Sequence, residues 1–506
     1  MSFRISSLIN LNGGAARLFN NNNNQLPKEY VCKYWVSDWI ELLLKKVALN
    51  KLGPTVTTRW LLLLANGVYN SYQFILENKS PLDTQYWTST QKGVLATGDS
   101  YTESFVELAC QYFIPKMIRD YMNLTISPLT QNEVNVLVSS HTSLVSVNQD
   151  SLNAVKGLLA SYLSARDADG WKLTTTFDGT LPNGSNTISA DNSQDQDLNS
   201  LPEPSKWTPL QFGLTKKNYL TPEWGTKNKG LLSDAVFSGL LADTNQFFPS
   251  DVQYESEMKD VAVLTSNLTD DQKITAEFWA GGGGTVTPPG MWIVFLDIVL
   301  RSNNVSLYDE IKNYAILCSA LYQAGICAWR LKRDHLQARP IQKIRQYEYG
   351  NTISEAWNAN TLGQYWLPYQ ELNFVTPPFP DFVSGHSTFS SASAKVFSYL
   401  FGTDTVNLKN PVINNNILQY LSPVLNNNTA NLKLNDVYVL NGSSTIQAGV
   451  VPHRTVNLSW DSWNDMANSS GSSRIYGGIH VESSNKAGLY LGSLIGHNIW
   501  LSLKDI

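Results

Sequence analysis

The sequence predicts a mainly α-helical protein, two packed helix bundles with long irregular loops. Two observations carry that reading. Apolar residues recur at helical spacing through most of the chain before residue 166 and again after about residue 250. Between those regions, and from 400 to 460, the texture turns to Asn, Ser, Pro and Gly. With 506 residues, 42% hydrophobic and 16% charged, the chain can bury the core of one large domain or two ordinary ones.

Taken in order, residues 1–27 read as a flexible tail ending in the asparagine run at 20–24. Residues 28–250 should form an N-terminal bundle. Within it SDWIELLLKKVALN carries a helical stripe, with Ser37 or Asp38 as cap. TTRWLLLLANGVYNSYQFILE, SYTESFVELACQYFIPKMIRDYM and HTSLVSVNQDSLNAVKGLLASYLSARDADG continue the pattern, the last stopping at Gly170. From about 166 to 235 the embedded Trp171, Trp207, Phe212 and Trp224 point to an ordered irregular segment packed on a core. Residues 251–506 should form a second bundle, broken by GGGGTVTPPG at 281–290 and closed by KAGLYLGSLIGHNIWLSL.

Several function classes fall away. A net charge of −5 and a pI near 5.7 argue against a general nucleic-acid binder. Cys32, Cys110, Cys318 and Cys327 show no CxxC pairing, so zinc and a disulfide framework are not indicated and buried free thiols are expected. The N-terminus lacks the apolar core of a signal peptide, and WLLLLANGV and MWIVFLDIVL are too short to span a bilayer. A soluble protein without a membrane span is the expectation. The Gly281–Gly284 run has no Lys-Ser/Thr after it and no strand before it, so it reads as a loop between helices and not as a phosphate loop.

The chemistry concentrates in three blocks. PPFPDFVSGHST at 377–388 places His386 after the small pair Ser384-Gly385, in a chain with only six histidines. Upstream, CAWRLKRDHLQARP ends a helix and holds Lys332 and Arg339, seven residues apart. That is almost two helical turns, which would put both cations on one side. Downstream, SSRIYGGIHVESSN holds Arg474 and His480 around Gly477 and Gly478. Three cations, a hydroxyl, a glycine N–H and two imidazoles suit a tetrahedral oxyanion. One imidazole could attack or coordinate the central atom while the other handles protons. Singly, each residue is ordinary: a surface cation, a cap or a packed histidine.

The pattern Lys-x6-Arg-Pro, Ser-Gly-His, Ser-Arg-x5-His resembles the signature shared by vanadium-dependent haloperoxidases and the type-2 phosphatidic acid phosphatases. FWAGGGGTVTPPGMW at 278–292 and LGPTVTTRWLLLLANGVYNSYQ at 52–73 are similar to further family segments. The resemblance implies vanadate coordinated by His480 in the C-terminal bundle. Lys332, Arg339 and Arg474 would neutralise its oxygens, Ser384 and the Gly385 N–H would donate to it, and His386 would act as acid–base group. It implies hydrogen peroxide, a halide ion and a small organic acceptor as partners, with hypohalous acid as the halogenating product. Trp329 and Phe379 resemble halide-pocket residues of the chloroperoxidase branch, with plain helix packing as the alternative. The same cradle suits phosphoryl transfer, so an acid phosphatase is the second reading and a non-catalytic relative the third. The chain departs from the family at Val383, where a proline is usual. It also departs at Ser484, where an aspartate is frequent, and at Gly281–Gly284, where an acidic residue often follows Phe-Trp-Ala.

Overall fold

The computed structural model describes residues 34–76, 102–141 and 149–505, apart from 185, 229, 304, 358–359, 407–414, 426–433 and 435. The expected tail at 1–27 and Cys32 lie outside the described residues. Five helices come first: α1 (Trp35–Leu49), α2 (Pro54–Leu76), α3 (Thr102–Lys116), α4 (Gln131–His141) and α5 (Gln149–Asp167). After an irregular stretch come α6 (Trp224–Lys227), α7 (Asp234–Asn245), α8 (Asp251–Thr265), α9 (Asp270–Phe278), α10 (Thr287–Asn303), α11 (Leu307–His335) and α12 (Pro340–Tyr347). The last four are α13 (Gly385–Leu400), α14 (Asn415–Leu421), α15 (Trp463–Tyr476) and α16 (Glu482–Leu503). Short strands are confined to the connections: β1 (Ile188–Ser189), β2 (Leu210–Phe212) and β3 (Thr215–Lys216) form one sheet. The pairs β4 (Thr352–Ile353) with β5 (Thr361–Leu362), and β6 (Val437–Val439) with β7 (Val456–Leu458), form two more. The mainly helical expectation holds. Among the described residues no helix is long and apolar enough to cross a membrane.

Capping follows elementary hydrogen-bond accounting at many helix starts. Ser233, Ser250, Thr269, Ser306, Ser384 and Ser462 each accept a backbone N–H of their own first turn. The expected cap at Ser37 or Asp38 is not made, because α1 begins two residues earlier. Ser37 is buried instead and bonds the Glu310 carboxylate at 2.7 Å through its hydroxyl and 2.9 Å through its N–H. Gly170 does stand beyond the end of α5, at φ 96°. Cys110, Cys318 and Cys327 are buried free thiols.

One large apolar core joins α1, α2, α3, α10, α11, α13 and α16. A smaller cluster gathers Ile188, Leu210, Tyr254, Met258, Ile341, Trp366 and Val481. Arg339 lies just before Ile341 and His480 just before Val481, so both are held where the smaller cluster begins.

The irregular segment braces the connection between α11 and α12. The Trp207 N–H donates to Leu336 O at 2.7 Å, Ala338 N–H to Ser205 O at 2.9 Å, and Thr208 N–H to the Gln342 side chain at 3.0 Å. Trp207 and Trp224 are fully buried, so this stretch is packed as its aromatics suggested. These three bonds are non-local, so no helical or strand period in the sequence signals them.

Candidate active site

α16 sets the position of the Ser-Gly-His block. Gly488, Gly492 and Gly496 lie four residues apart, on one face of the helix. A Cβ at Gly488 would stand 2.6 Å from Ser384 O, and one at Gly496 2.6 Å from Ala392 O. The two helices therefore meet backbone against backbone. Ser384 N–H donates to Ser484 O at 3.0 Å, fixing the N-cap of α13. Thus Ser484, noted as a departure from the family, acts here through its carbonyl. The Gly385 and His386 N–H groups lie in the first turn of α13, where amides have no intrahelical acceptor and the helix dipole favours negative charge.

Lys332 and Arg339 reach one place by a different route from that expected. They are not two turns of one helix. α11 ends at His335, Leu336 takes a left-handed conformation at φ 48°, and α12 starts at Pro340 with Arg339 as its N-cap. The chain reverses between them, and the Pro377–Asp381 loop supplies the acceptors. Lys332 Nζ donates to Pro380 O at 2.7 Å and Asp381 O at 2.9 Å, and Arg339 Nε donates to Phe379 O at 2.7 Å. This is the structural use of the proline-rich motif: no proline N–H competes, and three successive carbonyls turn toward two cations.

His480 follows the tight turn at Gly477-Gly478, where Gly478 has φ 68° and a Cβ would crowd Pro368 at 2.9 Å. Arg339 Nη1 donates to Ile479 O at 2.6 Å and lies 3.1 Å from His480 Nε2. The Nδ1 of His480 bonds the Asp381 carboxylate. The other Asp381 oxygen takes the Tyr254 hydroxyl at 3.3 Å. A carboxylate on Nδ1 keeps the proton there and leaves the Nε2 lone pair facing Arg339, the arrangement that makes an imidazole a good ligand. Arg474, in the last turn of α15, bonds Ser473 Oγ at 2.9 Å and Ala276 O. His386 Nε2 lies 2.8 Å from Trp279 O. A carbonyl can only accept, so Nε2 carries the proton and Nδ1 is the basic nitrogen. A main-chain carbonyl of the Phe-Trp-Ala stretch thus partners this imidazole.

Lys332, Arg339, Ser384, Arg474 and His480 are each at most 2% exposed. Gly385, His386, Arg474 and His480 line one cavity of about 250 Å³, together with Trp329 and Phe379. The rings of Trp329 and Phe379 are 4.9 Å apart, and Lys332 Nζ and Arg339 Cζ sit 5.1 and 5.0 Å from the Phe379 centroid. All nine residues singled out in the sequence therefore gather in one region.

Sequence reasoning missed Asp381 and Tyr254. Asp381 had a signal, as the only acid in the otherwise apolar run PPFPDFV. Tyr254, on α8, had none.

The electrostatics show what this region lacks. Burial pushes the Asp381 carboxyl up to about 7, against the lowering effect of Arg339 and Lys332. Burial also pulls Arg339 down to about 10 and Arg474 to about 9, and Lys332 well below its usual value, the last helped by Arg339. Both imidazoles are held neutral, chiefly by burial, with Arg474 acting on His386 and Arg339 on His480. Lys332 and Arg339 thus share one carboxylate, Arg474 has only Ser473 Oγ and a main-chain carbonyl, and the buried Arg339 Nη2 has no acceptor among the described residues. A Cβ at Gly385 would make only ordinary contacts, 3.6 Å from Trp329 and 3.8 Å from Phe389, so the glycine leaves open cavity beside an N–H. Unpartnered donors, excess positive charge and one ligand-ready imidazole fit a multiply charged oxyanion such as vanadate.

Sulfate tests that fit without redox chemistry. A base whose folded pKa lies below its unfolded value binds fewer protons when folded. Its contribution to stability therefore falls as pH drops from the unfolded value, 10.5 for lysine, to the folded one. A dianion reverses that loss, and protonation of Asp381 below about 7 works in the same direction. Sulfate is expected to raise the melting temperature more at pH 6 than at pH 9. Differential scanning calorimetry checks this, and an equal shift at both values would remove the buried bases as its cause.

Comparisons with known proteins bear on the fold. Residues 312–506 match the model of the VCPO second helical-bundle domain. A crystal structure of an apo-type bacterial vanadium-dependent chloroperoxidase superposes with a TM-score of 0.64 at 14% identity, covering 90% of this chain and 95% of that one. The chain has the fold of the vanadium-dependent haloperoxidases. Two further structures with this haloperoxidase fold agree. The holo-type bacterial chloroperoxidase gives a TM-score of 0.62 at 16% identity, covering 90% of this chain and 94% of its own. A bacterial vanadium-dependent iodoperoxidase gives 0.59 at 16% identity, covering 95% and 98%. No curated protein sequence matches significantly.

Proposed function

We propose that this protein is a vanadium-dependent haloperoxidase, oxidising halide with hydrogen peroxide to hypohalous acid that halogenates an organic acceptor. One observation supports this above the others. The buried bases Lys332 and Arg339 share one carboxylate and Arg474, also buried, lines the same cavity, beside a histidine whose Nδ1 is tied to Asp381 and whose Nε2 faces Arg339. In this reading His480 Nε2 is the ligand to vanadium. Lys332, Arg339 and Arg474 bind the oxyanion's oxygens, with Ser384 and the Gly385 N–H as neutral donors. Bound vanadate would supply an electrophilic centre at which peroxide is activated toward halide. The buried cations hold developing negative charge without reorganising, which is the main electrostatic service of such a cradle. His386 exchanges protons through Nδ1, with Trp279 O fixing the tautomer. Trp329 and Phe379 form the apolar wall against which a weakly hydrated halide can sit.

The test adds orthovanadate to purified protein and assays halogenation of a phenol indicator with peroxide. Hydrolysis of p-nitrophenyl phosphate without vanadate is assayed in parallel. Halogenation is expected. Phosphatase activity alone would favour phosphoryl transfer, and silence in both a non-catalytic relative. His386→Ala should keep vanadate bound and slow halide oxidation by about 10²–10⁴-fold, the usual range for a general acid–base group. Unchanged turnover with vanadate retained would remove that role.

A further inference from the structure

The cavity is larger than an oxyanion needs, and its outer part is built by residues with no part in the cradle. Leu52 from the α1–α2 turn, Leu220 from the irregular segment, and Phe374 and Pro377 from the loop before the Ser-Gly-His block wall it. Gly281–Gly283 complete the rim, and a Cβ at Gly282 would meet nothing within 4 Å. The glycine run therefore keeps the mouth open. The walls are braced: Leu220 N–H donates to Pro378 O at 3.0 Å, and Trp329 Nε1 donates to Leu220 O at 3.0 Å. At the rim stands Lys51, exposed and with no ion pair to any described residue.

We propose that this cavity binds the organic acceptor itself, as a one- or two-ring aromatic acid, with the ring between Leu220 and Phe374 and the carboxylate at Lys51. Size, wall chemistry and charge each narrow the class. A volume of about 250 Å³ lies below the range of roughly 300–1,000 Å³ typical of drug-sized ligands. Aromatic and aliphatic walls select a flat apolar body, and a lone cation at the rim selects an anionic end. The ring then faces Trp329, Phe379 and the cradle. Its identity as halogen acceptor rests on the haloperoxidase reading. There, a ring carbon's π pair forms the carbon–halogen bond as the oxygen–halogen bond of hypohalous acid breaks. The released hydroxide takes the ring proton and leaves as water.

The binding claim is tested without vanadate, halide or peroxide, so it stands or falls separately from that reading. Isothermal titration calorimetry compares 4-hydroxybenzoate with its methyl ester. The acid is expected to bind about tenfold tighter. Lys51→Glu, at an exposed position, should erase that preference while leaving the ester's affinity unchanged. Leu220→Trp should weaken both by filling the cavity. Equal affinities in the parent protein, or a Lys51→Glu variant with its preference intact, would overturn the assignment. Competition between inorganic phosphate and 4-hydroxybenzoate would also overturn it, by putting the carboxylate in the cradle.

Discussion

His480→Ala is expected to abolish vanadate retention on gel filtration and, with it, all peroxide-dependent halogenation. The expectation rests on the two nitrogens having different work. Asp381 accepts from Nδ1, so Nε2 is the lone pair that remains, and it lies 3.1 Å from Arg339 Nη1 among the buried bases. Alanine removes the only coordinate bond proposed from the protein, leaving an ion-pair cradle that releases its anion quickly. It also leaves the Asp381 carboxylate without its strongest donor, and a buried acceptor that loses its partner costs about 1–3 kcal/mol. A lower melting temperature should therefore accompany the loss of vanadate, and Asp381→Asn in the same chain should recover part of it. Asp381→Asn alone keeps an oxygen near Nδ1 but loses the charge. It should weaken vanadate by about 10–100-fold, as outer partners of ligating histidines usually do. ⁵¹V NMR titration measures both. Vanadate retained stoichiometrically by His480→Ala would mean that the imidazole is not the ligand.

How much of this could be read from the chain depends on the range of the interaction. The helices were legible because their period is local: α2, α5 and α11 each carry a long apolar stripe. The blocks around His386 and His480 were legible because each is contiguous and contains residue types rarely combined by accident. The path from Lys332 to Arg339 was not. Seven residues can be two helical turns or a reversal, and the left-handed Leu336 that decides between them is held by Trp207, far away in sequence. Ser37 was misread as a cap for a similar reason, since its partner Glu310 is 273 residues distant. Asp381 was in plain view but its role was not, because only the folded chain brings it to His480. The irregular segment was recognisable as packed from its tryptophans. Its part in bracing the α11–α12 connection and walling the cavity lies in long-range bonds, such as Trp207 N–H to Leu336 O and Trp329 Nε1 to Leu220 O, that no local pattern encodes.

Those long-range bonds also explain why so many charges can be buried near one another. Lys332 and Arg339 are solvated by the carbonyls of Phe379, Pro380 and Asp381, and Arg339 also by Ile479. Carbonyl dipoles stabilise a cation without neutralising it, so the cradle keeps its positive field. Main-chain acceptors serve elsewhere in the site too: Ser484 O takes the Ser384 N–H and Trp279 O the His386 imidazole. The His386 imidazole is thus held by the Trp279 carbonyl, whose position is set by α9 and its packing on α15.

The second large effect is mechanical, and it pairs one substitution in two helices. Gly157→Ala in α5 adds a methyl group where nothing lies within 4 Å. It should stabilise the protein by about 0.5–1 kcal/mol, by lowering the backbone entropy of the unfolded chain and improving helix propensity. Gly492→Ala in α16 gains the same propensity but places its Cβ against backbone. The nearest atoms are Thr388 O, and Ala392 N at 2.9 Å, neither of which can turn away as a side chain would. The helices must separate, and overpacking of this kind costs about 1–3 kcal/mol even before that separation spreads. Because α13 carries Ser384 and Gly385 at its N-terminus, and Ser384 is fixed to Ser484 of α16, the same shift moves two donors of the cradle. Gly492→Ala should therefore lower the denaturation midpoint and weaken vanadate binding together, while Gly157→Ala raises the midpoint and leaves vanadate alone. Urea melts and vanadate titration on both variants check the pair. Gly492→Ala with unaltered stability would mean that the α13–α16 backbone contact does not hold the site in place.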